Sequence, residues 1–120
     1  MAPKPAAKAP AKAALTESAS TYHSRARGLL VEKKYAESIE QFNEAIRLDP
    51  AFALAYNGRG FAHYLLRQYA EALLDYDRAI QINPDYGNAY LNRSNARRAV
   101  GDKAGAEADM AKFRELSARQ

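Results

Sequence analysis

The chain has 120 residues, a net charge of +4 and no cysteine, which points to a single domain and excludes disulfide scaffolds, thiolate metal sites and cysteine nucleophiles. The lack of cysteine fits a reducing compartment, and a cytoplasmic location is expected. No apolar run approaches the roughly 20 residues that a membrane-spanning helix requires, so no membrane association is expected.

The opening stretch, MAPKPAAKAPAKAAL, sets three prolines and three lysines among alanines. It cannot bury enough apolar surface to offset its chain entropy, and residues 1–18 are expected to form a disordered, semi-extended tail. It also lacks the uninterrupted apolar segment of a secretory signal. Lys4, Lys8 and Lys12 supply most of the net charge, so the remainder is nearly neutral.

From Ala19 onward a pattern returns every 34 residues. Tyr22, Tyr56 and Tyr90 share that spacing, as do Pro50 and Pro84. Windows 19–52, 53–86 and 87–120 superpose Tyr35 on Tyr69, Ser38 on Ala72 and Ala106, and Phe42 on Tyr76 and Met110. A period of this length indicates helix pairs stacked into a solenoid.

Each window carries two helical patterns. Tyr22, Ala26 and Leu29 fall at i, i+4, i+7, and Ile39, Phe42 and Ile46 repeat the pattern after a break near Lys33 and Lys34. Asp49-Pro50 and Asn83-Pro84 close the second helix of their windows, because the residue before proline is pushed out of the α region. Gly101-Asp102 supplies the break in the third. Six helices are predicted, at roughly 19–33, 36–48, 53–67, 70–82, 87–100 and 104–117.

Small residues at matched places, Ala26, Gly60 and Ser94 on the first helices against Ser38, Ala72 and Ala106 on the second, let the axes approach closely. The motif Y-x3-G-x8-Y-x2-A-x3-Y-x2-A-x4-P from Tyr56 to Pro84 resembles the tetratricopeptide repeat. The resemblance spans residues 19–120 and weakens in the third window, where Lys103, Phe113 and Ala118 replace tyrosine, alanine and proline. It implies an all-α, right-handed α-solenoid of three helix hairpins. Glu107 and Arg114 stand where the earlier windows have Leu73 and Ile80, so the last repeat reads as a polar terminus with Phe113, Met110 and Leu116 folding over it. A monomer is expected. An end-to-end dimer is the alternative, and the two charges argue against it.

The resemblance also implies a concave wall made by the first helix of each pair, able to accept a peptide. The residues assigned to it are His23, Arg27 and Leu30, then Asn57, Phe61 and Tyr64, then Asn88, Leu91, Asn92, Asn95 and Arg98. Amides can pair with both C=O and N–H of a backbone, guanidinium forks match carboxylates, and Phe61 with Tyr64 would anchor the centre. Structural readings stand beside these: His23 as an exposed polar residue, Phe61 and Tyr64 as core, and the asparagines as a solvated face. His63 reads as a core histidine.

Members of this family hold acidic chaperone tails with a clamp of two lysines, two asparagines and an arginine. Asn92 in YLNRSNA matches one asparagine, but Asn57 and Phe61 stand where Lys and Asn are wanted. In a shifted frame the five places fall to His23, Arg27, Gly58, Asn88 and Asn92, so no complete clamp is expected. Arg25, Arg59 and Arg93 recur at one place, with Asp75 and Asp109 sixteen residues after the last two. Ion pairs are expected within repeats, Arg59 with Asp75 and Arg93 with Asp109, or across them, Arg93 with Asp75.

No cofactor or metal site is expected, and no nucleophile stands at a recognisable spacing from a base. Gly58-Arg59-Gly60 lies within a helical pattern and lacks the preceding strand of a phosphate loop. A protein-interaction adaptor is therefore the expected function, with a structural or self-assembling module as the alternative. Nucleic-acid binding through the lysine tail, Arg93, Arg97 and Arg98 is a weaker reading, because the body is close to neutral.

Overall fold

The computed structural model describes residues 17–120. The expected tail lies outside them except at its last two positions, and those belong to the fold. Ser18 caps the first helix by accepting the Thr21 N–H at 3.1 Å, and Glu17 pairs with Arg25.

Six helices follow: α1 (Ala19–Val31), α2 (Tyr35–Leu48), α3 (Ala53–Leu65), α4 (Tyr69–Ile82), α5 (Gly87–Ala99) and α6 (Lys103–Ala118). The first helix of each pair stops a residue or two before its predicted end, and one turn motif accounts for all three. At the end of α1, Lys33 N–H bonds Leu30 C=O and Lys34 N–H bonds Leu29 C=O. Arg67 with Gln68, and Gly101 with Asp102, repeat both bonds. This is the Schellman closure, whose pivot must be left-handed. Lys33 and Arg67 both have φ 63° and Gly101 has φ 88°. Asp102 then caps α6 by accepting the Gly105 N–H at 2.9 Å.

The turns between pairs explain why Tyr and Pro share the period. Tyr56 Oη donates to the Pro50 carbonyl at 3.0 Å, and Tyr90 Oη to that of Pro84 at 2.9 Å. Asp49 and Asn83 each accept, through the side chain, the N–H two residues on. Tyr56 and Tyr90 thereby tie their helices to the preceding loops.

Packing between pairs is built from alanines and large rings. Ala26, Phe42, Ala45 and Ala55 form one core cluster, and Ala72, Tyr76 and Ala96 a second. Close approach within a pair is fixed by Ser38 Oγ donating to Ala26 C=O at 2.9 Å and Ser94 Oγ to Ala106 C=O at 2.8 Å. The α3 glycines make room for rings: a Cβ at Gly60 would lie 2.7 Å from Tyr76 Cε1, and one at Gly58 would collide with Phe42. Successive helices pack in order, and α1 also meets α3, as α3 meets α5, whereas α2, α4 and α6 stay apart. The first helices therefore form the tighter inner wall of an all-α helical-repeat solenoid.

An arginine ladder runs through the stack. Arg59 makes a two-pronged pair with buried Asp75, at 2.9 and 2.7 Å, and reaches back to Asn43 Oδ1 at 2.9 Å. Arg93 does the same with Asp109, at 2.9 and 2.8 Å, and reaches back to Asp77 at 3.0 Å. The cross-repeat partner of Arg93 is thus Asp77; Asp75 is held by Arg59. Each arginine also lies over the ring of the tyrosine three residues before it, Arg59 over Tyr56 at 5.6 Å and Arg93 over Tyr90 at 5.5 Å. His63 is half-buried rather than core, with Nδ1 2.7 Å from Gln68 Oε1. At the C-terminal end Glu107 and Arg114 are exposed, while Leu116 is buried near Gly87 and Phe113.

Candidate functional site

A groove of about 520 Å³ opens across α1, α3 and α5. His23, Arg27, Leu30 and Val31 line it from α1, Leu54, Asn57, Gly58 and Phe61 from α3, and Asn88 and Asn92 from α5. Tyr86, the residue before α5, completes the lining. The groove is oblique. On α1 it reaches the last residue, Val31; on α3 it stops at Phe61, and on α5 at Asn92.

That stagger decides which of the eleven assigned residues come together. His23, Arg27, Leu30, Asn57, Phe61, Asn88 and Asn92 meet in the groove. Tyr64, Asn95 and Arg98 do not, because a straight column of equivalent window positions misses a groove that shifts by about a helical turn from repeat to repeat, and Leu91, although between Asn88 and Asn92 on α5, does not line it. Tyr64 is half-buried against the second core cluster, 5.6 Å from the Tyr69 ring. Arg98 is exposed and donates to Asn95 Oδ1 at 3.4 Å.

His23 is buried rather than exposed, at 8% accessibility, because its ring packs against Phe52 at 4.9 Å and Phe42 at 5.8 Å. Burial holds its imidazole below the ordinary value of 6.5, the Arg27 charge adds to the effect, and the Leu54 backbone opposes it. A neutral imidazole therefore floors the groove. Arg27 rises beside it, exposed to solvent.

The polar end is organised by an amide relay. Asn92 Nδ2 donates to Asn57 Oδ1 at 3.1 Å, and Asn57 Nδ2 donates to Tyr86 Oη at 3.1 Å. Burial pushes the Tyr86 phenol pKa up, against the Asn57 bond and the Arg27 charge. Apolar side chains of the lining are open to solvent: Val31 is 83% exposed, Leu54 50% and Phe61 37%. Among the described residues no three metal-ligating side chains cluster, and no helix is long and apolar enough to cross a membrane.

Sequence reasoning omitted Val31, Leu54, Gly58 and Tyr86 from the wall. For Tyr86 a signal was present, since Phe52 occupies the same place one window earlier. All five shifted-frame clamp positions, His23, Arg27, Gly58, Asn88 and Asn92, also lie in the groove.

Two family descriptions match the chain: Tetratricopeptide repeat over residues 53–86 and TPR repeat over residues 31–66. No curated protein sequence matches it. Among solved structures it is similar to the second TPR of Spaghetti (RPAP3) bound to HSP90 peptide SRMEEVD, with 30% identity, a TM-score of 0.81, and 83% of this chain and 93% of that one covered. The first TPR of the same protein, bound to the same peptide, gives 25% identity and a TM-score of 0.83 over 86% and 82% of the two chains. The TPR2B domain of yeast Sti1, in a pHsp70 complex, gives 24% identity and a TM-score of 0.82 over 84% and 81%, a likeness of fold.

Proposed function

This chain belongs to the tetratricopeptide repeat family, and from that premise we propose that it is a cytoplasmic protein-interaction adaptor that binds a peptide segment in the groove across α1, α3 and α5. The observation that carries the reading is the meeting, in one groove, of a fixed amide relay and exposed apolar side chains. Asn57, Asn88 and Asn92 pair with the peptide backbone, and Phe61 and Leu54 seat an apolar side chain. The module is a non-catalytic monomer without a cofactor, its last repeat closed by Glu107 and Arg114.

We further propose that it lacks a complete chaperone carboxylate clamp. The five shifted-frame places in the groove carry one permanent cation, Arg27, where the clamp has three. The test is a peptide selection against the folded chain, followed by titration of the enriched sequences. Affinities on the order of micromolar are expected, with at least a tenfold loss in Phe61→Ala and in Asn92→Ala. The peptide SRMEEVD should bind at least tenfold more weakly than the selected sequences. Enriched peptides indifferent to both substitutions would remove the groove from the account, and tight SRMEEVD binding would remove the clamp argument.

A further inference from the structure

The proposed groove has an excess of hydrogen-bond donors that the protein itself leaves without acceptors. The relay runs in one direction, from Asn92 to the Asn57 carbonyl oxygen and from the Asn57 amide to the Tyr86 oxygen. Tyr86 spends a lone pair on Asn57, and among the described residues its own O–H donates to no protein atom. Arg27 is in the same position: it lines the groove, and no carboxylate of the described residues bonds its guanidinium. The recurrent arginines of the fold are by contrast occupied, Arg25 by Glu17, Arg59 by Asp75 and Arg93 by Asp109. Among the described residues the groove lining contains no acidic side chain.

We propose that Tyr86 is a specificity-determining residue of the groove, its O–H and the Arg27 guanidinium jointly receiving a single acidic side chain of an internal peptide segment whose neighbouring apolar side chain seats on Val31, Leu54 and Phe61. The inference rests on the groove-binding reading above. One free cation matches one carboxylate; a chain terminus that brought its own carboxylate together with acidic side chains would leave charge unpaired here. A phenol keeps its proton at neutral pH, and burial only pushes the Tyr86 pKa further up, so the group is available as a donor. Its bond to Asn57 fixes where the oxygen sits, which sets one positioned donor in a groove that the Arg27 guanidinium also lines.

The experiment is selection from a random peptide library displayed within a carrier loop, both peptide ends joined, against the wild-type chain and two variants. Arg27→Gln alters an exposed position, and Tyr86→Phe restores the aromatic ring that Phe52 provides at the equivalent place, so both variants are expected to fold. Enriched sequences should contain Asp or Glu next to an apolar residue. Synthetic versions, acetylated and amidated, should lose about tenfold in affinity against each variant, and Asp→Asn in the peptide should cost wild type as much while costing Tyr86→Phe with Arg27→Gln little. Groove-dependent peptides without acidic preference would overturn this inference and leave the proposed function standing. So would enrichment that appears only in a library with free C-termini. Peptides that bind all groove variants equally would overturn the proposed function itself.

Discussion

Tyr76 is the second repeat's counterpart of Phe42, and both rings are fully buried. The tyrosine, however, carries a hydroxyl with no hydrogen-bond partner among the described residues. A buried polar group without a partner costs about 1–3 kcal/mol. Tyr76→Phe, which restores the chemistry of the first repeat, should therefore raise stability by about 1 kcal/mol in urea unfolding. Loss of stability would mean that the hydroxyl has a partner in solution. His23 gives a pH dependence. Its folded pKa lies below its ordinary value of 6.5, so between those two values the unfolded chain binds a proton that the folded chain refuses. Stability contributed by neutral His23 is then present above about pH 6.5 and declines as pH falls through that window. Against wild type, His23→Phe should show a shallower acid slope in stability–pH curves, and equal slopes would contradict the burial argument.

The hairpin turns show what the helices alone do not reveal. Lys33 and Arg67 take the left-handed conformation that Gly101 takes in the third repeat, and a side chain there is strained. Lys33→Gly and Arg67→Gly should each stabilise by about 0.5–1 kcal/mol, while Gly101→Ala should destabilise by about 1 kcal/mol; thermal or denaturant midpoints of the three variants check this. The break near Lys33 and Lys34 was legible, but a left-handed pivot was signalled only at Gly101, since lysine and arginine carry no turn signature and the predicted helices run through Lys33 and Arg67. The Pro-terminated helices were read to their last residue, because proline acts on the residue before it by sterics alone. The arginine ladder was half legible. Spacing identified Arg59 with Asp75 and Arg93 with Asp109, but the reach of Arg93 back to Asp77 depends on how one pair lies on the next. Arg59→Met should cost about 3 kcal/mol by leaving Asp75 buried and unpaired, and Arg59→Met with Asp75→Leu should recover most of it. A double variant no more stable than Arg59→Met would show that the lost packing of the arginine dominates.

At the scale of the molecule, three hairpins in contact only with their neighbours form one stack, and the groove is a property of the stack. No single repeat contains it: Arg27, Asn57 and Asn92 come from three successive first helices. This is why the candidate site was partly legible in the chain. The family resemblance implied which helices form the inner wall, and hence His23, Arg27, Leu30, Asn57, Phe61, Asn88 and Asn92, whereas the oblique course across the wall, which excludes Tyr64, Asn95 and Arg98, arises from the geometry of stacking. Amide chemical-shift mapping with an enriched peptide tests the central claim most directly. Perturbations should concentrate on α1, α3 and the start of α5, at Arg27, Asn57, Phe61 and Asn92, with α2, α4 and α6 little affected. Perturbations concentrated on the outer helices α2, α4 and α6 would contradict the account.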